Sequence, residues 1–389
     1  MQFVLTEQQE AFRETARRFS ADRLAPDYMK REDAGGMDPA LLRDMAALGL
    51  IGADLPEDFD GLGVDAVSLG VIIEQIAYGD VNVSYVQLLA SLMGNIVVKN
   101  ASAGIATDWV PRVVRGETIF GLGLTEPASG SDAANVMLRA EKSGNGYILN
   151  GEKTSISFSD QMGAIVLLAR TGNPQDGARG VSAFFVPMDE PGITATRFRD
   201  LGSRPVGRGS VFFDNVKVPS DCLMGEEGTG FVQVMQGFDY SRALIGLQCI
   251  AAAQASLDET WAYTTERQTF GMPLARYQGV TFPLAEAETM LNAARLVCYQ
   301  TLDLRDHGLP HTSEAAMAKW LAPKTAVDVI HQCLLTHGHS GYSMDLPHQQ
   351  RLRDVMGLEI GDGTAQIMKL IIAREKVGRV AVQYDTGNA

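Results

Sequence analysis

The chain has 389 residues, of which 46% are hydrophobic and 21% are charged, and its formal net charge at pH 7 is -14. A chain of this length exceeds what one hydrophobic core usually supports, so we expect two or three domains. The acidic excess argues against a nucleic-acid or anionic-membrane surface, and without an apolar run of about 18 residues no membrane span is expected.

The cysteines and the first residues bear on the cellular compartment. Cys222, Cys249, Cys298 and Cys333 are far apart and form no C-x-x-C pair. The first residues, Met1 to Val4, contain neither the basic segment nor the apolar core of an export signal. We therefore expect a protein of the reducing cytoplasm.

The first third of the chain has a helical pattern. Thr6 and Gln9 have the spacing of a capping box, and Phe12, Ala16 and Phe19 recur on one face of the helix that follows. This pattern predicts an N-terminal helical domain over residues 1–119.

The middle of the chain consists of short β-rich runs separated by turn residues. The clearest runs are Ala164 to Ala169, Val181 to Val186 and Ser210 to Val218. β-branched and aromatic residues bounded by glycine, asparagine and proline are typical of antiparallel strands joined by tight turns. We therefore expect a middle antiparallel β-domain over residues 120–228.

The helical period returns in the last part of the chain. The long segments are Val232 to Arg267, Pro283 to Asp306, Ser313 to Leu335 and Thr364 to Val380. They predict a C-terminal four-helix-bundle domain over residues 229–389, so the expected fold class is α+β.

Two patterns that could indicate other cofactors are incomplete. Gly61-Leu62-Gly63 and Gly121-Leu122-Gly123 do not complete a G-x-G-x-x-G motif in a strand-turn-helix unit, so no Rossmann site is expected. His337 and His339 have no acidic or cysteine partner at metal-ligand spacing, and we interpret them as loop residues rather than metal ligands.

A carboxylate between two glycines is the most informative local feature. Asp362 lies between Gly361 and Gly363, and Thr364 follows as a candidate helix cap. Backbone N–H groups at a helix start are free to bind an anion, so this turn is a suitable place for a base. On residue type alone, an ordinary capped turn fits the pattern equally well.

Five motifs in order resemble those of the acyl-CoA dehydrogenases, over nearly the whole chain. They are Leu124 to Asp132 (L-T-E-P-A-S-G-S-D), Asn150 to Lys153 (N-G-E-K), Phe238 to Arg242 (F-D-Y-S-R), Glu266 to Gly271 with Tyr277-Gln278, and Asp362 to Gln366 (D-G-T-A-Q). The resemblance implies an acyl-CoA dehydrogenase-like fold: an N-terminal helical domain, a middle antiparallel β-domain and a C-terminal helical bundle.

The resemblance also implies a reaction and its partners. An enzyme of this kind uses FAD to oxidise an acyl-CoA thioester between Cα and Cβ. Asp362 would take the α-proton while the β-hydride passes to flavin N5, and an electron-transferring flavoprotein would accept the electrons. Because this family commonly binds the nucleotide end of FAD across a subunit boundary, a homo-oligomer is implied; a homotetramer is expected, with a dimer as the alternative.

The motif positions supply candidate binding residues, all of them implied by the resemblance. The cofactor candidates are Leu124, Thr125, Ser131, Ser157, Arg267, Thr269, Phe270, Gln278, His337, Gly338, Thr364 and Gln366. The substrate candidates are Ser131, Phe238, Asp239, Ser241, Arg242, Gly361 and Gly363. Taken singly, Ser131 could belong to a turn, Arg267 could form a surface ion pair, and Arg242 could neutralise Asp239 within its helix.

Departures from the family pattern bear on the substrate. Asp362 stands where the family has Glu, and Gly361 replaces a common aromatic residue. A shorter base must approach the α-carbon more closely, and the lost side chain opens volume, which favours an α-carbon that belongs to a ring. Ser155 replaces an aromatic residue beside the flavin, and Leu335 replaces a Gln that helps to bind adenine.

The sequence around Asp362, together with Pro205 to Ser210, resembles the alicyclic branch, the cyclohexanecarboxyl-CoA dehydrogenases. The implied reaction converts cyclohexane-1-carboxyl-CoA to cyclohex-1-ene-1-carboxyl-CoA in alicyclic acid degradation. Dehydrogenation of another branched or bulky acyl-CoA is an alternative, and an oxidase of the nitroalkane oxidase type also uses an Asp base. A DNA-associated flavin-binding relative is disfavoured by the acidic charge.

Overall fold

A computed structural model of the chain describes residues 4–382, so Met1 to Phe3 of the stretch inspected for an export signal lie outside the described range. Two compact units are present. The bundle unit draws its described residues from Met1–Lys30, Asp65–Ser84 and Asp239–Ala389, and the sheet unit consists of Arg31–Val64 and Tyr85–Phe238. These units do not follow the three predicted segments, and the boundaries at residues 119 and 228 remain a prediction.

The described helices occupy both ends of the chain. They are α1 (Glu7–Phe19), α2 (Tyr28–Ala34), α3 (Pro39–Ala47), α4 (Ala66–Gly79), α5 (Val81–Asn100), α6 (Ala103–Val114), α7 (Gly230–Glu266), α8 (Gln278–Asp306), α9 (Thr312–Thr336), α10 (His339–Tyr342), α11 (His348–Met356) and α12 (Ala365–Val377). The predicted helical segments of both regions are therefore confirmed.

Local signals explain where several helices begin. The Thr6 hydroxyl accepts the Gln9 N–H and the Gln9 side chain accepts the Thr6 N–H, so the predicted capping box is confirmed. Helix α8 begins at Gln278, five residues before the predicted start, and contains Pro283. A proline usually marks the first turn of a helix, which is why sequence reasoning began this helix too late.

The strands form one large sheet and a two-stranded ribbon. They are β1 (Phe120–Gly123), β2 (Arg139–Ser143), β3 (Gly146–Ile156), β4 (Ala164–Arg170), β5 (Val181–Pro187), β6 (Ile193–Ala195), β7 (Gly209–Pro219), β8 (Leu223–Met224), β9 (Gln268–Thr269) and β10 (Met272–Pro273). The large sheet has the order β6-β7-β3-β2-β4-β5-β8, with β1 paired to β4.

Antiparallel pairing dominates the sheet, as predicted, with two parallel contacts at β4. Strand β1 pairs with β4 in parallel over four residue pairs, from Phe120↔Ala164 to Gly123↔Leu167, and β2 meets β4 in parallel at Arg139↔Arg170. Strand β4 is buried along its whole length, as expected for a strand covered on both faces. The strand pair β3 and β7 shifts register between Lys153 and Ile156, and Ser155 has a φ of 58° there.

One helix of the described range passes a length-and-hydropathy test for membrane spans. This helix, α5, has a mean hydropathy of 1.5 in its most apolar window, and 83% of that window is buried within the protein. Core helices of globular proteins pass the same test, so this is weak evidence for a span.

Candidate active site

The Asp362 turn lies immediately before α12 in the bundle unit. Asp362 has a φ of 56° and Gly363 a φ of 104°, so two consecutive residues are left-handed. This conformation is uncommon for a non-glycine residue and is often retained at functional turns. Thr364 caps α12 by accepting the Ile367 N–H at 3.4 Å, as the sequence predicts.

A buried lysine contacts this turn. Lys319 on α9 is 1% exposed, and its Nζ donates to the carbonyl oxygens of Leu358 at 2.6 Å and Gly363 at 3.2 Å. Sequence reasoning missed Lys319. A signal was available, because Ala315, Ala316 and Ala322 place Lys319 on an apolar helix face.

Arg242 forms an ion pair within its own helix. Its Nη1 donates to Asp239 Oδ1 at 2.8 Å, and the hydroxyl of Thr312 donates to Asp239 Oδ2 at 2.6 Å. Phe238, Arg242 and Ser241 are buried. The alternative that Arg242 neutralises Asp239 is thus confirmed as a contact, and the Asp239 carboxylate also accepts from Thr312.

The charges around Asp362 oppose the effect of its burial. Burial raises the pKa of Asp362 above its ordinary value, and the positive charges of Lys319 and Arg242 act in the opposite direction. Burial also lowers the pKa of Lys319, which the Asp362 charge counteracts. Asp362 is therefore a carboxylate made more basic by its surroundings, which suits a group that takes a proton.

A buried ion pair joins two sequence motifs in the sheet unit. Lys153 Nζ on β3 lies 2.7 Å from Glu126 Oε1 and also donates to the Leu124 carbonyl at 3.1 Å. The Glu126 carboxylate accepts the backbone N–H groups of Met137 and Leu138 at 2.8 and 2.9 Å. Burial lowers the pKa of Lys153 to about 8, against the opposing charge of Glu126. The pair fixes the segment that carries Thr125.

The residues predicted to bind the adenine end of FAD lie on or next to the exposed two-stranded ribbon of β9 and β10. Thr269 ends β9, and Phe270 follows with a φ of 48° and 94% of its surface exposed. Arg267 and Gln278 are also exposed, and Arg267 forms no ion pair within residues 4–382, so the surface ion-pair alternative finds no support. The Tyr277 hydroxyl donates to the Thr269 carbonyl at 2.9 Å and closes the ribbon against the start of α8.

The loop prediction for the two histidines is right for one and wrong for the other. His337 follows the last residue of α9 and lies in the turn before α10, and it is buried. His339 is instead the first residue of α10. The His337 ring stacks on Tyr263 with centroids 4.2 Å apart, and the ring of His348 lies 4.3 Å away. Helix α9 ends at Thr336, one residue beyond the predicted Leu335, and Gly338, with a φ of 61°, follows its cap. His337 is thus packed against rings, whereas Gly338 is exposed.

The described residues contain no group of three or more His, Cys, Asp or Glu side chains that could hold a metal ion.

Family models match the chain in three consecutive stretches. The N-terminal, middle and C-terminal domain models of acyl-CoA dehydrogenase match residues 6–117, 121–216 and 228–377. The chain belongs to the acyl-CoA dehydrogenase family. The three-part acyl-CoA dehydrogenase fold expected from the sequence is thereby confirmed, and the protein is an FAD-dependent oxidoreductase.

Individual acyl-CoA dehydrogenases resemble the chain over almost its full length. A probable acyl-CoA dehydrogenase of Bacillus subtilis, YngJ, is 33% identical over 96% of this chain and 99% of that protein. Benzylmalonyl-CoA dehydrogenase of Aromatoleum aromaticum is 33% identical over the same shares. The structure of butyryl-CoA dehydrogenase from Megasphaera elsdenii is 29% identical, with a TM-score of 0.93, and covers 97% of this chain and 100% of that one. These names span linear and aromatic acyl groups, so similarity alone leaves the substrate open.

The flavin candidates of this acyl-CoA dehydrogenase fit a flavin ring in their chemistry. Thr125 and Ser157 are half-buried, and within the described residues neither hydroxyl is engaged in a hydrogen bond. The Thr154 N–H donates to the Thr125 carbonyl at 2.9 Å, which ties the loop to β3 three residues before Ser157. Two available hydroxyls on segments that are tied together are suitable partners for the polar rim of an isoalloxazine.

The remaining candidates are accessible to different extents. Leu124 is buried and its carbonyl is taken by Lys153, whereas Ser131 and Gln366 are exposed. Gly361 is half-buried, and a Cβ added there would meet only the Gly357 carbonyl oxygen, at 3.6 Å.

Proposed function

We propose that this acyl-CoA dehydrogenase oxidises cyclohexane-1-carboxyl-CoA to cyclohex-1-ene-1-carboxyl-CoA. The open position at Gly361, beside a base that is one methylene shorter than Glu, carries the proposal. An α-carbon that belongs to a ring bears an extra substituent, so it needs volume next to the base. The benzylmalonyl-CoA relative supports ring-bearing acyl groups within this range of similarity.

Asp362 is the proposed base. Its carboxylate takes the α-proton from C1 of the ring, and its raised pKa strengthens it as a proton acceptor. FAD, when bound, accepts the hydride from the β-carbon, so the pair of electrons leaves the substrate and the double bond forms between C1 and C2. Lys319 and Arg242 provide the positive charge that keeps Asp362 able to ionise.

The proposed binding residues are assigned by the part of the ligand that each would contact. Thr125, Ser131 and Ser157 would hold the flavin ring, and Arg242 would hold the coenzyme A side. The proposed nucleotide contacts are Arg267, Thr269, Phe270, Gln278, Gly338, Thr364 and Gln366. The exposed ribbon that carries Phe270 supports contact with another subunit. We accordingly propose a cytoplasmic homotetramer that passes its electrons to an electron-transferring flavoprotein.

Anaerobic titration of the flavin spectrum tests the substrate. Cyclohexanecarboxyl-CoA should bleach the yellow holoprotein, and butyryl-CoA should do so weakly or not at all. Asp362→Asn keeps the side-chain volume but removes the proton acceptor, so it should retain FAD and lose bleaching by at least about 100-fold in rate. Benzylmalonyl-CoA serves as a second ring-bearing probe.

Each outcome separates the proposals. Bleaching by butyryl-CoA alone would reject the alicyclic substrate and retain the dehydrogenase. Bleaching by both ring-bearing probes would favour a general bulky-acyl enzyme. An Asn variant with wild-type bleaching would reject Asp362 as the base.

An oxidase of the nitroalkane type is the second candidate. Ser155 is the observation that favours an oxidase. This residue is exposed where the pairing of β3 with β7 shifts register, and the family usually places an aromatic side chain there, beside the flavin. Oxygen consumption with nitroethane would support the oxidase. Rapid oxygen consumption with cyclohexanecarboxyl-CoA would instead support an acyl-CoA oxidase and reject the flavoprotein acceptor.

A further inference from the structure

The carbonyl groups that bind Lys319 come from opposite sides of the Asp362 turn. Leu358 lies four residues before Asp362, and Gly363 lies directly after it. One buried ammonium donates to both carbonyls, at 2.6 and 3.2 Å. The lysine therefore closes the segment from Leu358 to Gly363 into a loop whose ends share a single donor.

Burying a lysine at this position of α9 carries a desolvation penalty. The neighbours of Lys319 on the same face of α9, Ala315, Ala316 and Ala322, are fully buried. Removing an ammonium from water is strongly unfavourable unless strong partners replace the water, and an apolar side chain of similar length would avoid that penalty. The two carbonyls and the Asp362 charge are the partners that offset it.

The turn itself needs support. Asp362 and Gly363 are both left-handed, and Asp362 is not a glycine, so its conformation persists only where surrounding contacts hold it. The Thr364 cap fixes only the side of the turn next to α12. Lys319 binds both sides, and so restrains the direction in which the Asp362 carboxylate points.

Several charged or titratable groups act on this site. Those that face Asp362 or its two cations are Lys319 from α9, Arg242, Asp239 and Cys249 from α7, Glu359 within the turn and Arg374 from α12. Arg242 is already paired with Asp239, which also accepts from Thr312. Lys319, by contrast, donates its hydrogen bonds to two carbonyls of the Asp362 turn.

We propose that Lys319 is a positioning residue for the base: it holds the Asp362 turn by two carbonyl hydrogen bonds, and its charge keeps the Asp362 carboxylate ionised. The proposal rests on the proposed role of Asp362. Lys319 touches neither substrate nor FAD in this role, and acts through Asp362 alone.

Three variants of the holoprotein test the positioning role of Lys319. Lys319→Met and Lys319→Gln both shorten the side chain by one atom and remove the charge, but Gln keeps an N–H donor and Met keeps none. Lys324→Met, on the exposed face of the same helix, removes a lysine paired with Asp328 and serves as the matched control.

Two measurements report on the site. Hydrogen exchange of residues 358–364 reports the stability of the turn. Infrared titration of the carboxyl band that Asp362→Asn abolishes reports the ionisation of Asp362. Neither measurement requires turnover.

The expected results separate the two parts of the proposal. Lys319→Met should speed exchange in residues 358–364 about 10-fold or more and move the Asp362 titration upward by about one pH unit or more. Lys319→Gln should slow exchange again relative to Met but keep the shifted titration, and Lys324→Met should match the wild type in both. Unchanged exchange and titration in Lys319→Met would overturn the proposal. If the Lys319 variants do not fold, a wild-type Asp362 that stays protonated at pH 7 would overturn it.

Catalysis provides the third readout. With the acyl-CoA that bleaches the wild type, Lys319→Met should lower kcat about 10- to 100-fold with little change in KM, because the base is misplaced while substrate contacts remain. A loss confined to KM would contradict a positioning role. Failure of every acyl-CoA to bleach the wild type would reject the proposed function, while the exchange and infrared results would still judge the role of Lys319.

Discussion

A short carboxylate in a left-handed turn is the central feature at the scale of single residues. Asp362 combines an unusual φ of 56° with burial that raises its pKa, and Lys319 and Arg242 counteract that rise. Gly361 precedes it, and a Cβ there would meet only the Gly357 carbonyl oxygen. In the proposed function, adjacent residues of one turn would thus set both the strength of the base and the volume for the acyl group.

Replacing Gly361 tests whether the volume beside this residue determines which acyl-group shape the enzyme accepts. A Cβ at this position makes only an ordinary contact of 3.6 Å with the Gly357 carbonyl oxygen, so Gly361→Tyr should fold. The ring should then occupy the volume proposed for the cyclohexane group. We expect kcat/KM for cyclohexanecarboxyl-CoA to fall at least about 10-fold more than kcat/KM for a linear acyl-CoA. Equal losses for both substrates would reject the pocket argument.

The pH dependence of flavin reduction should report Asp362. Only the carboxylate accepts a proton, so the rate should rise with pH through the pKa of Asp362 and level off above it. Because burial raises that pKa, the acid limb should lie above pH 3.8, the ordinary value for an aspartate. Rapid-mixing measurements of kcat/KM against pH would show it. An acid limb at or below the ordinary value would mean that Lys319 and Arg242 outweigh burial.

At the scale of secondary-structure elements, ion pairs connect loops to the strands or helices that support them. Lys153 on β3 binds Glu126 of the T-E-P segment, and Glu126 in turn binds the backbone before β2. Arg170 at the end of β4 donates to the carbonyls of Ala134 and Val136 in the same loop. The loop that carries Thr125 and Ser131 is therefore held from both β3 and β4.

Removing one partner of the Lys153–Glu126 pair should loosen flavin binding. Lys153→Met leaves a carboxylate buried without its cation, which typically lowers the free energy of unfolding by about 3–5 kcal/mol. We expect a lower Tm and a lower ratio of flavin to protein absorbance. The double variant Glu126→Gln with Lys153→Met should recover much of the Tm, because it leaves no unpaired charge. A double variant no more stable than Lys153→Met would contradict this account.

Exposed apolar side chains are the notable feature at the scale of the whole molecule. Phe270, Tyr342 and Ile360 are more than half exposed, and all three belong to the bundle unit. Large apolar side chains that face water in a single chain often belong to subunit interfaces. They support the proposed homotetramer.

A serine at Phe270 should weaken both assembly and FAD retention. The ring is almost fully exposed in the single chain, so its loss removes no internal packing and the fold should persist. Light scattering should show smaller species, with a parallel fall in flavin content. Leu309→Ser, half exposed between α8 and α9, is the control and should change neither. A tetramer that retains FAD in Phe270→Ser would reject the subunit-spanning nucleotide contact.

The sequence by itself determined the order of helices and strands, the capping box at Thr6, the cap at Thr364 and the family. These follow from hydrophobic period, cap residues and motifs, which are local along the chain. It also drew attention to Asp362 and Arg242, because both occur in recognisable motifs. It misjudged His339, since the neighbouring glycines suggested a loop although this residue begins α10.

Only the tertiary structure decided which groups the buried lysines contact. Lys319 and Gly363 are 44 residues apart in sequence, and Lys153 and Glu126 are 27 apart, yet each pair is in contact. No local period encodes such contacts, because they depend on how helices and strands pack against each other. The same holds for the pKa of Asp362 and Lys153, since burial, which shifts both values, arises only when the chain has folded around them.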